Sequence, residues 1–169
     1  SKIENIMLAE IIREHQKVSG ISSTTYLKLS LTSPHLPNLD LMDVPGLVVN
    51  PSKGEPETMH DDSHNLVDAI IKETKGRAVY LAVREISEKA TDSQAIKVLQ
   101  RHPEIHSKTL GVLTKCDEAS PEKIRKMLKE QPIIRLPLGN VLTMNAPPEE
   151  NEDPRLNAQA NRELEFFNN

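Results

Sequence analysis

The sequence predicts an α/β domain built on a mostly parallel sheet flanked by helices. Two observations predict the layout. Short apolar runs at 78–83, 110–113 and 141–144 suit buried strands, and stretches with helical spacing of apolar residues lie between them. That alternation implies parallel strands joined by helical crossovers. A third observation concerns the strand ends. The predicted strands at 39–42 and 110–113 run into the polar strings Asp43-Val44-Pro45-Gly46 and Thr114-Lys115-Cys116-Asp117, and Asn145 follows the last strand. In open α/β sheets, ligands bind in the crevice beyond the carboxyl ends of the strands.

In chain order, Ile3, Ile6, Met7, Ile11 and Ile12 share one face of a helix over 2–18, and Gly20 is placed to stop it. Residues 26–33 alternate, with Leu27, Leu29 and Leu31 on one side, and predict a strand with one wet face. Pro34 and Pro37 separate it from a second short strand at 39–42. Residues 47–58, rich in Pro, Ser, Gly and Glu, read as a mobile loop. A helix over 60–75 turns Leu66, Val67, Ile70 and Ile71 inward. Another over 93–101 uses Ala95, Ile96, Val98 and Leu99. Ser120-Pro121-Glu122 opens a third with a cap, a first-turn proline and an early acid. Residues 147–154 form an acidic, proline-flanked linker. Leu156, Ala160, Leu164 and Phe167 mark a closing amphipathic helix over 155–169. The 169 residues suffice for one domain with a real core.

Composition excludes several functions. Net charge is -4 with both signs interspersed, which argues against nucleic-acid binding, since that needs clustered Lys and Arg. Two tyrosines and two phenylalanines are too few and too scattered for a base-stacking platform. Cys116 is the only cysteine, so no intrachain disulfide forms, which fits a reducing compartment. No stretch approaches the length of a membrane span and no signal peptide opens the chain. The first residue is Ser1 rather than methionine, which fits a processed, trimmed or partial product. His60 and His64 are spaced for zinc on a helix, but Asp61 replaces the glutamate of the zinc-protease pattern and no third ligand is evident. No G-x-S-x-G string supports nucleophilic hydrolysis, and no catalytic residue is assigned.

The strand-end strings carry specific chemistry. A carboxylate at Asp43 can hold Mg2+ through water, because magnesium keeps much of its hydration shell. Gly46 lets a backbone N–H approach a phosphate without side-chain obstruction. Asp117 can accept two hydrogen bonds from the flat N–H edge of guanine while the Lys115 stem lies across the base. Asn145 is placed either to touch the base or simply to turn the chain before Pro147. The phosphate-cradling string G-x-x-x-x-G-K-[ST] does not occur in the 169 residues.

In order and content these strings resemble the dynamin family of large GTPases. The resemblance runs from Ser33-Pro34 through Leu39-Asp40-Leu41-Met42 to Gly46. It resumes at Ala95-Ile96-Lys97, Pro103 and the run from Thr109 to Asp117, and reaches Gly139, Val141 to Asn145 and Glu163 to Phe167. It implies part of a GTPase domain of the P-loop type spanning 1–169, lacking the phosphate loop and the switch-one threonine. Asp43 would serve Mg2+ and Gly46 the terminal phosphate. Thr114, Lys115, Asp117 and Asn145 would serve the base of GTP. Gln94 stands where the family commonly carries an aspartate used across a domain dimer, and Ala146-Pro147 replace more polar residues. The resemblance also implies a cytoplasmic, membrane-peripheral parent protein that remodels membranes and self-assembles through segments absent here. By this reading the chain alone does not hydrolyse GTP. The alternative is a nucleotide-free remnant domain acting as a protein-interaction module. A nucleotide-binding fold unrelated to GTP is weaker, because the base-side string reads guanine.

Overall fold

The computed structural model describes residues 7, 9–10, 13, 20–22, 24–35, 37–129, 134–144 and 156–168. They fall into two compact units, Ser1–Glu73 and Thr74–Asn169.

In the first unit the described positions of the predicted N-terminal helix, Met7, Ala9, Glu10 and Arg13, are helical; the rest of 2–18 lies outside the described residues. Arg13 pairs with Glu10 one turn away at 2.9 Å. The two strands expected at 26–33 and 39–42 are not formed. The described residues there join no ladder, and both faces are open: Leu27, Leu29 and Leu31 are 49–61% exposed, and Leu41 is 83% exposed. Alternation marks residues able to line a sheet, but a strand exists only where a neighbouring edge completes its hydrogen bonds. Beyond these residues, 47–58 form turns as far as helix α1, Met59–Thr74. Met59 N–H donates to Pro56 O at 3.1 Å and Asp62 N–H to Thr58 O at 2.8 Å, closing the first turn. Asp61 and Asp62 sit in that turn, where the helix dipole favours acids. Ser63, 1% exposed, fastens the preceding chain: its hydroxyl donates to His60 O at 2.8 Å and accepts from Val48 N–H at 3.2 Å.

The second unit carries the sheet. Strand β1, Tyr80–Glu85, is followed by helix α2, Gln94–Arg101, and a 3-10 turn at Pro103–Lys108. Strand β2, Thr109–Thr114, leads through a 3-10 turn at Cys116–Glu118 into helix α3, Pro121–Lys129. Strand β3, Asn140–Leu142, and helix α4, Leu156–Asn168, complete the unit. Among the described residues the sheet has three strands in the order β1-β2-β3, all parallel. The parallel α/β arrangement expected from sequence is present in this unit. Strand β1 departs in detail. It was expected to be buried throughout, but it alternates, and Leu81 and Val83 are more than half exposed.

Strand β2 is paired on both sides and is the most buried of the three. Gly111 makes the β3 contact possible. A Cβ there would collide with Asn140 Oδ1, and Gly111 N–H donates to Gly139 O at 3.0 Å. Gly139 adopts φ 80, a left-handed conformation suited to glycine. The core gathers Ile86, Leu113, Cys116, Ala119 and Ile124, with Met127, Leu142 and Phe166 packed against it. Ser120 caps α3: its hydroxyl accepts from Lys123 N–H at 3.3 Å. Helix α4 docks through Phe166, not through Leu164 and Phe167 as the spacing suggested; those two are 62% and 37% exposed. Glu163 adds a polar tie, accepting from Met144 N–H at 3.1 Å. The linker expected at 147–154 lies outside the described residues.

Two outcomes follow from this packing. Leu113→Ala removes a fully enclosed side chain and is expected to cost about 2–5 kcal/mol, whereas Leu41→Ala, on an open segment, is expected to change stability by no more than about 0.5 kcal/mol; urea unfolding of both variants checks the contrast. In hydrogen-exchange mass spectrometry, peptides from 26–46 are expected to exchange within seconds while those covering β2 remain protected. Slow exchange over 26–42 would place those residues in a ladder after all.

Candidate nucleotide site

The site is built from the end of β2. Because β2 pairs with β1 and β3, its last residue is fixed laterally: Thr114 lies opposite Glu85, and Leu113 opposite Leu142. The ladder continues one step past the strands. Ile86 N–H donates to Thr114 O at 2.9 Å, Thr143 N–H to Leu113 O at 2.8 Å, and Cys116 N–H to Thr143 O at 3.1 Å. The Thr114 hydroxyl donates to Arg84 O at 3.3 Å. Four hydrogen bonds to neighbouring segments therefore hold the turn that follows.

Within that turn Lys115 adopts φ 57 and ψ 37, the left-handed region. For a residue with a side chain this conformation costs of the order of 1–2 kcal/mol, so the surrounding bonds must impose it. It turns the chain so that Cys116 points into the core and Asp117 points out. Cys116 has no exposed surface, and its thiol donates to Leu113 O at 3.3 Å. Burial pushes that thiol's pKa up, so it is a core group and not a nucleophile. In sequence Cys116 stands out only as the single cysteine; the structure makes it the anchor. Glu118 N–H donates to Lys115 O at 3.0 Å and Ala119 N–H to Cys116 O at 3.2 Å, closing the 3-10 turn.

Two side chains face outward from this rigid turn. The Asp117 carboxylate is exposed and makes no hydrogen bond or ion pair among the described residues. The Lys115 ammonium meets Glu85 Oε1 at 2.5 Å, with both side chains about half exposed. The hydrogen bond from Lys115 to Glu85, and then the Glu85 charge, raise the lysine pKa above its ordinary value. Val83, Arg84, Glu85, Glu88 and Thr114 line an open cavity of about 470 Å³ beside the turn. Thr114, Lys115 and Asp117, singled out in sequence, thus share one turn. Glu85 was not singled out; its place opposite Thr114 follows only from the register of two strands far apart in sequence.

Asp43 and Gly46 belong to the other unit. Asp43 is exposed and does not cap a strand, because the strand expected before it is absent. A Cβ at Gly46 would meet nothing within 4 Å, and its backbone is outside the left-handed region, so the chain's own packing does not require glycine there. Asn145 lies outside the described residues. Among the described residues no group of three or more His, Cys, Asp or Glu is gathered for a metal. Magnesium needs only one or two carboxylates, its other ligands being water and phosphate.

The chain is similar in sequence to known proteins over most of its length. The family model described as "Dynamin family" matches residues 1–116. Dynamin-related protein 12A of Glycine max is 29% identical over 160 residues, covering 94% of this chain and 26% of that protein. The interferon-induced GTP-binding protein Mx of Dicentrarchus labrax is 30% identical over 154 residues, covering 89% and 23%. Dynamin-A of Dictyostelium discoideum is 31% identical over 111 residues, covering 64% and 13%. The chain thus spans about a quarter or less of the length of these relatives. The family match over more than half of the chain makes this chain a member of the dynamin family.

Proposed function

We propose that this chain supplies the guanine-reading side of a dynamin-type GTPase site. The observation that carries the reading is the turn after β2, where a core-anchored Cys116 presents an unengaged Asp117 carboxylate beside an outward Lys115. A carboxylate in that position can accept from both N–H groups on guanine's edge, which adenine does not offer in the same arrangement. A lysine stem beside it can cover the base face. The GTP binding named for the Mx relatives is the same chemistry.

Phosphate chemistry is the second part of the proposal. Gly46, a glycine that no turn or close packing demands, supplies a backbone N–H to the terminal phosphate, and Asp43 meets Mg2+ through water. GTP hydrolysis, self-assembly and membrane remodelling are activities we assign to the full-length protein, peripheral to membranes in the cytoplasm. The 169 residues contain no G-x-x-x-x-G-K-[ST] string. That loop normally gives several backbone donors and a lysine charge, and charged hydrogen bonds contribute about 1.5–3 kcal/mol each. Several such bonds amount to most of the roughly 8 kcal/mol behind micromolar affinity.

The isolated 169-residue chain is therefore expected to bind GTP at millimolar strength or weaker, and calorimetric titration giving a low-micromolar Kd would refute this. In the full-length protein, Asp117→Asn is expected to weaken GTP binding by a factor of about 100 or more, since it exchanges an acceptor for a donor facing the guanine N–H edge. The same change is expected to improve binding of xanthosine triphosphate, whose base carries a carbonyl oxygen at that edge. Competition assays with the two nucleotides check the switch.

A further inference from the structure

We propose that Glu85 is a positioning residue for base recognition: it holds the Lys115 ammonium so that the lysine stem is set in place before a nucleotide arrives. The inference rests on the guanine reading of the Thr114–Asp117 turn and extends it to a residue on the neighbouring strand.

The backbone of both partners is fixed. Glu85 ends β1 directly opposite Thr114, the residue before the lysine. Ile86 N–H donates to Thr114 O at 2.9 Å, so the pairing extends past Glu85 and leaves no hinge there. Lys115 is held left-handed by the turn. The mobile parts are two side chains, and they meet at 2.5 Å. Arg84, the cation next to Glu85 in sequence, is turned elsewhere: its Nη1 donates to Glu88 O at 2.9 Å. Glu85 is thereby left to the lysine.

This contact has a consequence for binding. A lysine side chain has four rotatable bonds and loses much freedom when it is laid across a base. An ion pair formed beforehand removes part of that loss from the binding step. Both side chains are about half exposed, so the pair adds little to fold stability. Its effect belongs to nucleotide affinity, and salt weakens it.

The test uses the full-length protein and a fluorescent GDP. Glu85→Gln is expected to raise the Kd about two- to fivefold at low salt, the range that exposed ion pairs give, with little effect at high salt and an unchanged Tm. In a Lys115→Met background, which keeps an apolar stem but has no charge to hold, Glu85→Gln is expected to change nothing further. Asp117→Ala serves as the reference. If Asp117→Ala abolishes binding while Glu85→Gln leaves Kd unaltered, the positioning role is overturned and the guanine reading stands. The role is equally overturned if Glu85→Gln acts by the same factor in the Lys115→Met background, or acts through a lowered Tm. If the unaltered protein binds no GDP, or Asp117→Ala binds it as well as wild type, the guanine reading fails and Glu85's role falls with it.

Discussion

The two-sided pairing of β2 is the constraint on which the rest depends. A parallel strand with a neighbour on each side cannot slide or tilt without breaking bonds on both flanks, and β2 has that position in the sheet. Its burial follows from the same placement. The turn at its carboxyl end inherits this rigidity through bonds from Ile86, Thr143 and Cys116, and the enclosed Cys116 side chain locks it from below. The left-handed conformation at Lys115 is thus imposed by the sheet and the core together. Strain of that kind persists where surrounding structure over-determines it, which is common at ligand sites.

What was legible in the sequence follows the same division. The run Leu110-Gly111-Val112-Leu113 is apolar because β2 is flanked by a strand on each edge, with one face buried and the other half-buried, and such runs announce themselves. Helices α2 and α3 were readable from spacing and from the Ser120-Pro121 start, since both signals are local. The misread strands at 26–33 and 39–42 show the limit. Leu27, Leu29 and Leu31 have the pattern of a half-buried strand and are exposed, because a strand's hydrogen bonds come from a neighbour that the local pattern does not specify. Open alternating leucines of this kind are a hazard for edge-to-edge association.

At the candidate site, the string Thr114-Lys115-Cys116-Asp117 gave residue identities but not roles. Cys116 looked incidental and is the buried anchor; its importance depends on which way the turn faces. Glu85 escaped notice because its neighbour in space lies on another strand, and only the register places it beside Thr114. A charged residue at the carboxyl end of the preceding strand was the available signal. Gly111 was likewise readable only as a small residue in a strand, a pattern that often marks close backbone approach; the structure supplies Asn140 as the reason. On helix α4 the choice of Phe166 over Phe167 turned on a one-residue rotation that the spacing did not settle.

The proposed guanine recognition rests on a turn fixed by β2. A crystal structure of the full-length protein with bound GDP tests it most directly. The Asp117 carboxylate is expected within hydrogen-bond distance of both N–H groups on the guanine edge, with the Lys115 stem against the base and its ammonium still beside Glu85. A guanine bound away from this turn, with Asp117 left facing solvent, would contradict it.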